Sequence, residues 1–194
     1  MNESNKMSRK VNLILVGFGG HANACLDIIE NSKKYKILGY VDKKKRPSSL
    51  KYLGNDSILN KIQKKNLFIG IGQIKKNPRK KIFNFLSKNN KFPKIISKTS
   101  VISKNSTIGD GTIIMNNVHI GPNVKIGKNC IINTGAIIEH DVTINNHCHI
   151  STGAIINGGS EIGENSFIGS GSVVKQGIKI DKKSFYNACL FIAK

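Results

Sequence analysis

The hydrophobic pattern changes once along this chain of 194 residues. Before residue 95, short apolar runs alternate with segments in which apolar residues recur at helical spacing. From Ile95 onward, an aliphatic residue recurs at every sixth position without a break. We therefore expect a disordered N-terminus at residues 1–10, a first domain at 11–94 and a second domain at 95–194.

The first domain alternates predicted strands and helices. The runs "VNLILVGF", "YKILGYVD" and "NLFIGIG" predict three strands, and "HANACLDIIENSKK", "DSILNKIQKK" and "PRKKIFNFLSKNN" predict three helices. We expect Asp56 or Ser57 to cap the second helix, and Pro78 suits the first turn of the third. Because strands that alternate with helices form parallel sheets with crossover helices, we predict a small α/β domain.

The second domain contains fifteen hexads in phase, beginning at Ile95. The second position of every hexad is Ile or Val, and the sixth is small or aliphatic. A period of six fits neither a helix nor a flat strand, but it fits a triangular parallel β-solenoid with three short strands in each coil. Fifteen hexads therefore predict about five coils, each burying its aliphatic residues against its neighbours.

Composition and charge exclude several other classes of protein. The formal charge of +20 comes from lysines spread from Lys6 to Lys194 rather than from one basic arm, which argues against nucleic-acid binding. The four cysteines include no CxxC pair, the N-terminus has no apolar signal segment, and no apolar run is long enough to span a membrane. We expect a cytoplasmic protein with reduced thiols that binds neither nucleic acid nor membranes.

Candidate chemistry is concentrated in one stretch, "IIEHDVTINNHCHIS", at residues 137–151. His140, His147 and His149 lie there, and Asp141 follows the first of them. An imidazole titrates near neutral pH and also binds zinc, so the stretch allows either a catalytic base or a metal site. Since solenoid turns are solvated, these histidines can also be idle decoration of the repeat.

The hexads and four motifs resemble the hexapeptide-repeat sugar acetyltransferases of the PglD/NeuD-like type, which include sialic acid O-acetyltransferases and UDP-4-amino-sugar N-acetyltransferases. The motifs are "GFGGH" after the first strand, "VD" after the second, "GIG" after the third and "IIEHD" in the solenoid. The resemblance covers residues 11–194. It implies a Rossmann-like acceptor-binding domain followed by a left-handed parallel β-helix, assembled as a homotrimer with active sites between subunits.

The resemblance also implies roles for individual residues. In this family the histidine of the matching motif is the general base and the acidic residue after it supports the base, which implies these roles for His140 and Asp141. The family often has glutamate where Asp141 stands. Asn133 is implied to face the acceptor, while His147 is expected to be idle and His119 to lie on the surface. Implied contacts with acetyl-CoA are His149, Gly158, Ser170 and Ala188.

The implied acceptor pocket lies at the carboxyl ends of the three strands, where parallel sheets bind ligands. Relatives that use UDP-sugars often have two acidic residues after the second strand, whereas lysine follows Asp42 here. UDP, GDP and CMP sugars and free sialic acid therefore all stay open. The family's "GVPAK"-like tail, which touches CoA, has no counterpart in this sequence. The implied acceptor residues are Gly19, Gly20, His21, Asp42, Lys43, Gly72 and Gln73.

The resemblance thus implies an acetyl-CoA-dependent N-acetyltransferase for an amino sugar. The expected acceptor is a nucleotide-linked 4-amino-4,6-dideoxy sugar of surface glycan biosynthesis. O-acetylation of sialic or legionaminic acid is one alternative, and a non-catalytic sugar-nucleotide binding module is another. Carbonic anhydrases of the β-helical type bind zinc through histidines of adjacent subunits, but they lack such an N-terminal domain, so no metal is expected.

Overall fold

The computed structural model of the chain describes residues 10–72 and 77–193. The N-terminal part contains strands β1 (Val11–Val16), β2 (Tyr35–Val41), β3 (Tyr52–Gly54) and β4 (Leu67–Ile69), and helices α1 (Gly20–Asn31) and α2 (Pro78–Leu86). The strands form one parallel sheet in the order β3-β2-β1-β4. The predicted α/β architecture of this part is confirmed.

Two local predictions were wrong in this part. The segment predicted as the second helix is a 3₁₀ helix over Asp56–Lys61, and its N-cap is Asn55, whose side-chain oxygen accepts the Ser57 N–H at 3.1 Å. The cap is therefore neither Asp56 nor Ser57. This helix buries only Leu59, so packing contributes little to extending it. Strand β3 was missed because its three residues are too few to form an apolar run.

The C-terminal part is a parallel β-helix of seventeen two-residue strands, numbered β5 to β21 in chain order. Each strand pairs with the strand eighteen residues away, so that Ile131 lies between Ile113 and His149. The predicted β-helix is confirmed, and its phase continues beyond the fifteen hexads. The strands are Ile95–Ile96, Val101–Ile102, Thr107–Ile108, Ile113–Ile114, His119–Ile120, Lys125–Ile126, Ile131–Ile132, Ile137–Ile138, Thr143–Ile144, His149–Ile150, Ile155–Ile156, Glu161–Ile162, Phe167–Ile168, Val173–Val174, Lys179–Ile180, Phe185–Tyr186 and Phe191–Ile192.

Three parallel sheets form the faces of this triangular prism. Face one consists of β5, β8, β11, β14, β17 and β20, face two of β6, β9, β12, β15, β18 and β21, and face three of β7, β10, β13, β16 and β19. We name the corners of each coil after the faces they join. In the coil that begins at Ile131, corner 1–2 is residues 133–136, corner 2–3 is 139–142 and corner 3–1 is 145–148.

The second residue of each strand points into the prism along most of its length. Ile138, Ile144 and Ile150 are at most 1% exposed, and burying each such side chain contributes roughly 1.5–3 kcal/mol. Corner residues recur in the left-handed conformation, as at Asp141 (φ 59°) and His147 (φ 62°). Because Asn, Asp and His tolerate this conformation better than other side chains, the corners carry polar residues that solvent or ligands can reach.

The α/β part docks on face one and on corner 3–1. Ile28 and Ile29 of α1 share a buried cluster with three outward-facing residues of face one, Ile95, Ile113 and Ile131. Phe83 of α2 packs edge-on against His147, with ring centres 5.6 Å apart. This docking brings the carboxyl ends of β1, β2 and β4 to His149, the next residue in the same outward row of face one.

Candidate active site

A cavity of about 790 Å³ opens at the carboxyl ends of β1, β2 and β4. Its lining contains residues from all three strand ends and His149 from the β-helix. Gln73 lies outside the described residues. The structure thus brings to one cavity those predicted acceptor residues that it describes and that follow these strands, namely Gly19, Gly20, His21, Asp42, Lys43 and Gly72.

Glycine occupies positions 19, 20 and 72 of this cavity for different physical reasons. A β-carbon on Gly19 or Gly20 would meet no atom within 4 Å, so both leave open space beside the start of α1. Gly19 is the N-cap of α1 and supplies no side-chain bond to the first-turn N–H groups. These N–H groups and the positive end of the helix dipole favour an anionic ligand. At Gly72, a β-carbon would lie 2.9 Å from Cγ of His21, so the imidazole requires glycine there.

Asp42 holds the glycine loop in place. Its Oδ2 accepts the Phe18 N–H at 2.7 Å, and its Oδ1 lies 3.7 Å from Arg46. The Phe18 ring stacks on Tyr40, with ring centres 4.2 Å apart. Asp42 therefore lines the cavity and also positions the loop that begins α1, which is a structural role that its place after β2 did not reveal.

Exposed cations surround the cavity. Lys43, Arg46 and Lys81 line it, against the acidic Asp42 and Asp56. The excess of positive charge suits phosphate groups, because arginine and lysine donate charge-assisted hydrogen bonds to them. Arg46 and Lys81 were not predicted from the sequence. In a lysine-rich chain no local signal distinguishes the cations that face a pocket, and the place of Lys81 depends on how α2 docks.

His149 lies at the bottom of this cavity. It occupies the outward row of face one between Ile131 and Phe167, and its ring centre is 5.3 Å from that of Phe167 and 6.4 Å from that of His21. Its Nε2 lies 3.4 Å from Nδ2 of Asn133. Asn133 thus contacts the imidazole that lines the cavity, although Asn133 is not itself among the lining residues.

Burial keeps both cavity histidines neutral at physiological pH. Burial lowers the pKa of His149 to about 3, with the charges of His21 and Arg79 acting in the same direction and the Gly72 backbone offsetting part of the fall. Burial and Arg79 lower the pKa of His21 to about 4. Since the Asn133 amide nitrogen only donates, it faces an unprotonated Nε2, and the His149 hydrogen lies on Nδ1. That buried Nδ1 forms no well-aligned hydrogen bond within the described residues.

His140 and Asp141 form a hydrogen-bonded pair at corner 2–3. Nδ1 of His140 lies 2.8 Å from Oδ2 of Asp141, and Nδ2 of Asn123 donates to Oδ1 at 3.0 Å. These two hydrogen bonds, first that from His140, lower the pKa of the Asp141 carboxyl. The carboxylate holds Nδ1 of the exposed imidazole as a donor, so Nε2 is free to accept a proton. Asn123 was not predicted, although it occupies the same repeat position one coil earlier.

Gly158 lies one coil after His140, directly beneath its imidazole. A β-carbon on Gly158 would lie 2.6 Å from both Cε1 and Nε2 of His140. Glycine is therefore required for the ring to occupy its observed place. The family resemblance implied a cofactor contact for Gly158, and the structure adds this contact with the predicted base.

Within one chain, the predicted catalytic and acceptor residues lie on different sides of the prism. The base group, at corner 2–3, is His140, Asp141 and Gly158. Corner 2–3 is the corner of the triangle opposite face one, so His140 does not lie at the cavity of its own chain. Ser170, whose Oγ is 2.8 Å from Oγ of Ser151, belongs to the other group. This group, on face one and corner 1–2, is His149, Asn133, Ser170 and Ala188.

His147, expected to be idle, lies at the junction of the two domains on corner 3–1. Its Nδ1 is 2.9 Å from Nδ2 of Asn129, and its ring contacts Phe83. Burial and then the charge of Lys80 lower its pKa to about 4. Its contacts are therefore structural, and it stays neutral in the folded protein at physiological pH.

We predict that the free energy of unfolding falls as the pH decreases from about 6.5 to about 4. His21, His147 and His149 have pKa values of about 4, about 4 and about 3 when folded, against 6.5 for an ordinary histidine, so the unfolded chain binds more protons in this range. Each of the three histidines should contribute at most about 3 kcal/mol to this loss near the acid end, and the partly exposed His147 should contribute less. Thermal unfolding at a series of pH values measures it. His147→Asn, which keeps a residue suited to the left-handed turn, should show a shallower slope, and an unchanged slope would remove His147 from the titrating set.

The described residues contain no group of three or more His, Cys, Asp or Glu side chains arranged to hold a metal ion. Among them, no helix has the length and apolar character to cross a membrane. Cys25, Cys130, Cys148 and Cys189 are free thiols.

Solved proteins with the same fold include two enzymes bound to coenzyme A species. The acetyltransferase domain of PglB from Neisseria gonorrhoeae, in complex with acetyl coenzyme A, matches with a TM-score of 0.88 and 24% identity over 95% of this chain and 92% of that chain. PerB from Caulobacter crescentus, in complex with CoA and GDP-perosamine, matches with a TM-score of 0.86 and 25% identity over 94% of this chain and 89% of that chain. Two further structures of the perosamine N-acetyltransferase of that organism have one histidine replaced, by asparagine in one and by alanine in the other. No curated protein sequence matches this chain.

Two family models match the chain in succession. The PglD N-terminal domain matches residues 12–86, and the GMPPB C-terminal domain matches residues 96–194, which is more than half of the chain. The first match coincides with the parallel sheet and its cavity, and the second with the β-helix that carries His140. The chain therefore belongs to the hexapeptide-repeat sugar acetyltransferases of the PglD/NeuD-like type, which are acyltransferases that combine such an N-terminal domain with a β-helix.

Proposed function

We propose that the protein is a cytoplasmic acetyl-CoA-dependent N-acetyltransferase whose acceptor is a nucleotide-linked amino sugar, such as a 4-amino-4,6-dideoxy sugar of surface glycan biosynthesis. The observation that carries the proposal is the His140–Asp141 pair, in contact at 2.8 Å, in a chain that also has a cation-lined cavity of about 790 Å³. Acetyl transfer to a nucleotide-linked amine needs both a base and a phosphate-binding pocket. The complex of PerB with GDP-perosamine supports this class of acceptor.

In this proposal residues 11–94 bind the acceptor and residues 95–194 carry out the transfer. The free N–H groups at the start of α1 bind the diphosphate, with Lys43, Arg46 and Lys81 around it. Asp42 keeps the loop in position through Phe18. Further predicted contacts with the acceptor are Gly19, Gly20, His21, Gly72, Gln73 and Asn133.

His140 acts as the general base in the transfer. Acetyl-CoA supplies the activated acetyl group as a thioester. His140 accepts a proton at Nε2 from the amine that attacks the thioester carbonyl, and it passes that proton to the departing thiolate sulfur as the carbon–sulfur bond breaks. Asp141 holds Nδ1 throughout. Backbone N–H groups donate to the carbonyl oxygen as it gains negative charge. His149 is less suited to this task, because the nitrogen that holds its hydrogen, Nδ1, is buried.

We infer that the working unit is a homotrimer with active sites between subunits. The base group at corner 2–3 and the group on face one and corner 1–2 lie at different corners of one prism, so a complete site needs a second copy of the chain. Both groups border face two, whose outward row is largely apolar and includes Val101 and Phe191, exposed by 64% and 70%. Such a row suits contact between copies. Packing through face two brings corner 2–3 of one copy to corner 1–2 of the next, with acetyl-CoA between them contacting His149, Gly158, Ser170 and Ala188.

An acceptor panel tests the proposed activity. The protein is incubated with acetyl-CoA and UDP- or GDP-linked 4-amino-4,6-dideoxy sugars, and release of the CoA thiol is measured. We expect turnover with at least one of them. Turnover with sialic or legionaminic acid alone would replace N-transfer by O-transfer, and binding without turnover would indicate a sugar-nucleotide binding module.

Mixing two inactive variants tests the shared site. His140→Ala removes the base, and Gly20→Leu fills the acceptor cavity. If each site uses His140 from one chain and the cavity of the next, co-expressed variants form some intact sites, about one quarter of the total on random assembly. We therefore expect partial recovery of activity in the mixture. No recovery in mixed trimers of confirmed composition would contradict sites that lie between subunits.

A further inference from the structure

We propose that Arg79 is a positioning residue that fixes the acceptor cavity against the β-helix, so that loss of its guanidinium weakens acceptor binding more than it affects acetyl-CoA binding. The kinetic test of this inference rests on the proposed function, because it measures turnover of an amino sugar. Arg79 is not among the residues that line the acceptor cavity, and none of its hydrogen-bond partners is a residue assigned to acetyl-CoA. It acts through the backbone of the loop that follows β4.

The guanidinium of Arg79 joins the two domains through backbone carbonyls. On the α/β side, its Nη1 donates to the carbonyls of Ile69 and Ile71, the residues on either side of Gly70 in the cavity wall. On the β-helix side, Nη2 donates to the Gly111 carbonyl at 3.0 Å and Nε to the Asn129 carbonyl at 3.3 Å. One rigid plane therefore spans the domain junction with contacts on both sides.

The residue type fits this task. Arginine presents five N–H donors in a fixed planar fork, whereas lysine has one ammonium on a flexible chain. The chain contains only three arginines among its 31 basic residues, so lysine is its usual cation. Arg79 is 8% exposed and also lies 5.8 Å from the centre of the Phe68 ring. Lysine cannot replace arginine at this buried position, because the position needs several donors in one plane.

The charge of Arg79 is buried without a carboxylate partner among the described residues. Burying a cation is costly, and here only the four carbonyls and one aromatic ring offset that cost. Separation of the two domains would leave the guanidinium with only part of its hydrogen bonds. Each half of the contact therefore depends on the other, which couples the position of the cavity wall to the β-helix.

The expected effect is specific for the acceptor. Ile71 and Gly70 line the acceptor cavity, and Arg79 holds the carbonyls next to Gly70. The residues that we assign to acetyl-CoA lie at corners 1–2 and 2–3 and on face one, while Gly111 and Asn129 belong to corner 3–1. A shift of the cavity wall changes acceptor binding and leaves the opposite corners in place.

The test compares Arg79→Met, Arg79→Lys and Lys80→Gln. Lys80 is the matched control, because it lies next to Arg79 on α2 and also bridges to the β-helix, through the partly exposed Glu164. We expect both Arg79 variants to raise the acceptor KM about tenfold or more, with the acetyl-CoA KM changed less than about twofold. Lys80→Gln should stay close to wild type. A merely destabilised protein would lose active enzyme without changing KM, since KM does not depend on the active fraction.

Wild-type acceptor KM in Arg79→Lys would show that charge alone suffices, and wild-type KM in Arg79→Met would remove Arg79 as a positioning residue. If the wild-type protein turns over no amino sugar, that result contradicts the proposed function and not the role of Arg79. Hydrogen–deuterium exchange then tests the role of Arg79 without turnover. Amides of residues 69–72 should exchange faster in Arg79→Met and at the wild-type rate in Lys80→Gln. Equal exchange in Arg79→Met and wild type would overturn the inference.

Discussion

Replacing His140 with alanine is expected to lower kcat by roughly 10²–10⁴-fold while the protein stays folded. The imidazole is the group whose Nε2 is free to accept a proton, because Asp141 holds Nδ1 at 2.8 Å. Its side chain is 53% exposed, so its removal leaves the core of the prism untouched. The effect should appear in kcat rather than in the acceptor KM, because the acceptor cavity of the same chain lies across the prism from His140.

Thiol release under saturating acetyl-CoA and acceptor measures this loss, and thermal unfolding confirms the fold. Lys104→Ala is a matched control, because Lys104 is an exposed residue at the same corner two coils earlier. It should keep kcat within about twofold of wild type, as surface changes away from the site usually do. Wild-type kcat in His140→Ala would remove His140 as the base.

Replacing Gly158 with alanine should lower kcat by about 10²-fold, the effect expected when a catalytic group is displaced by about an ångström. The added methyl carbon would lie 2.6 Å from Nε2 of His140, so the imidazole must move. Gly158 does not have a left-handed φ, so its backbone accepts alanine without strain. The loss therefore reports the position of the ring and not a damaged turn.

The kinetic constant that changes decides between two roles for Gly158. A fall in kcat supports its contact with His140, whereas a rise in the acetyl-CoA KM at constant kcat would support only the cofactor contact that the family resemblance implied. Gly159→Asn is the control, because position 159 is left-handed with φ 68° and Asn123 holds the same corner position two coils earlier. We expect that variant to keep kcat within about threefold.

The repeat made the β-helix predictable from the sequence. An aliphatic residue at each second position must point inward, and a period of six permits this only when three short strands close a coil. The motif residues His140 and Asp141 follow from the same phase, since they fall in a corner where polar side chains face solvent. The glycine loop and Asp42 were predictable because they follow apolar runs at the carboxyl ends of parallel strands.

Residues that act across the repeat or across the domain junction were not predictable. Asn123 reaches Asp141 only because consecutive coils stack eighteen residues apart. Arg79 appeared as one more cation on an amphipathic helix, yet it lies between two domains. His147 was expected to be idle, whereas its ring packs against Phe83 at the junction.

The sequence by itself determined the β-helix, its phase and the residue types at its corners, because each inward position is a local consequence of a short period. Only the tertiary structure decided which face of the prism the α/β part covers. His140 and His149 are nine residues apart in the chain, yet they lie on opposite sides of the prism, since each coil turns through three corners. Docking of α1 on face one through Ile131 and its neighbours then placed His149, and not His140, at the cavity proposed to bind the acceptor. That choice depends on packing between segments distant in the chain, which no local pattern encodes.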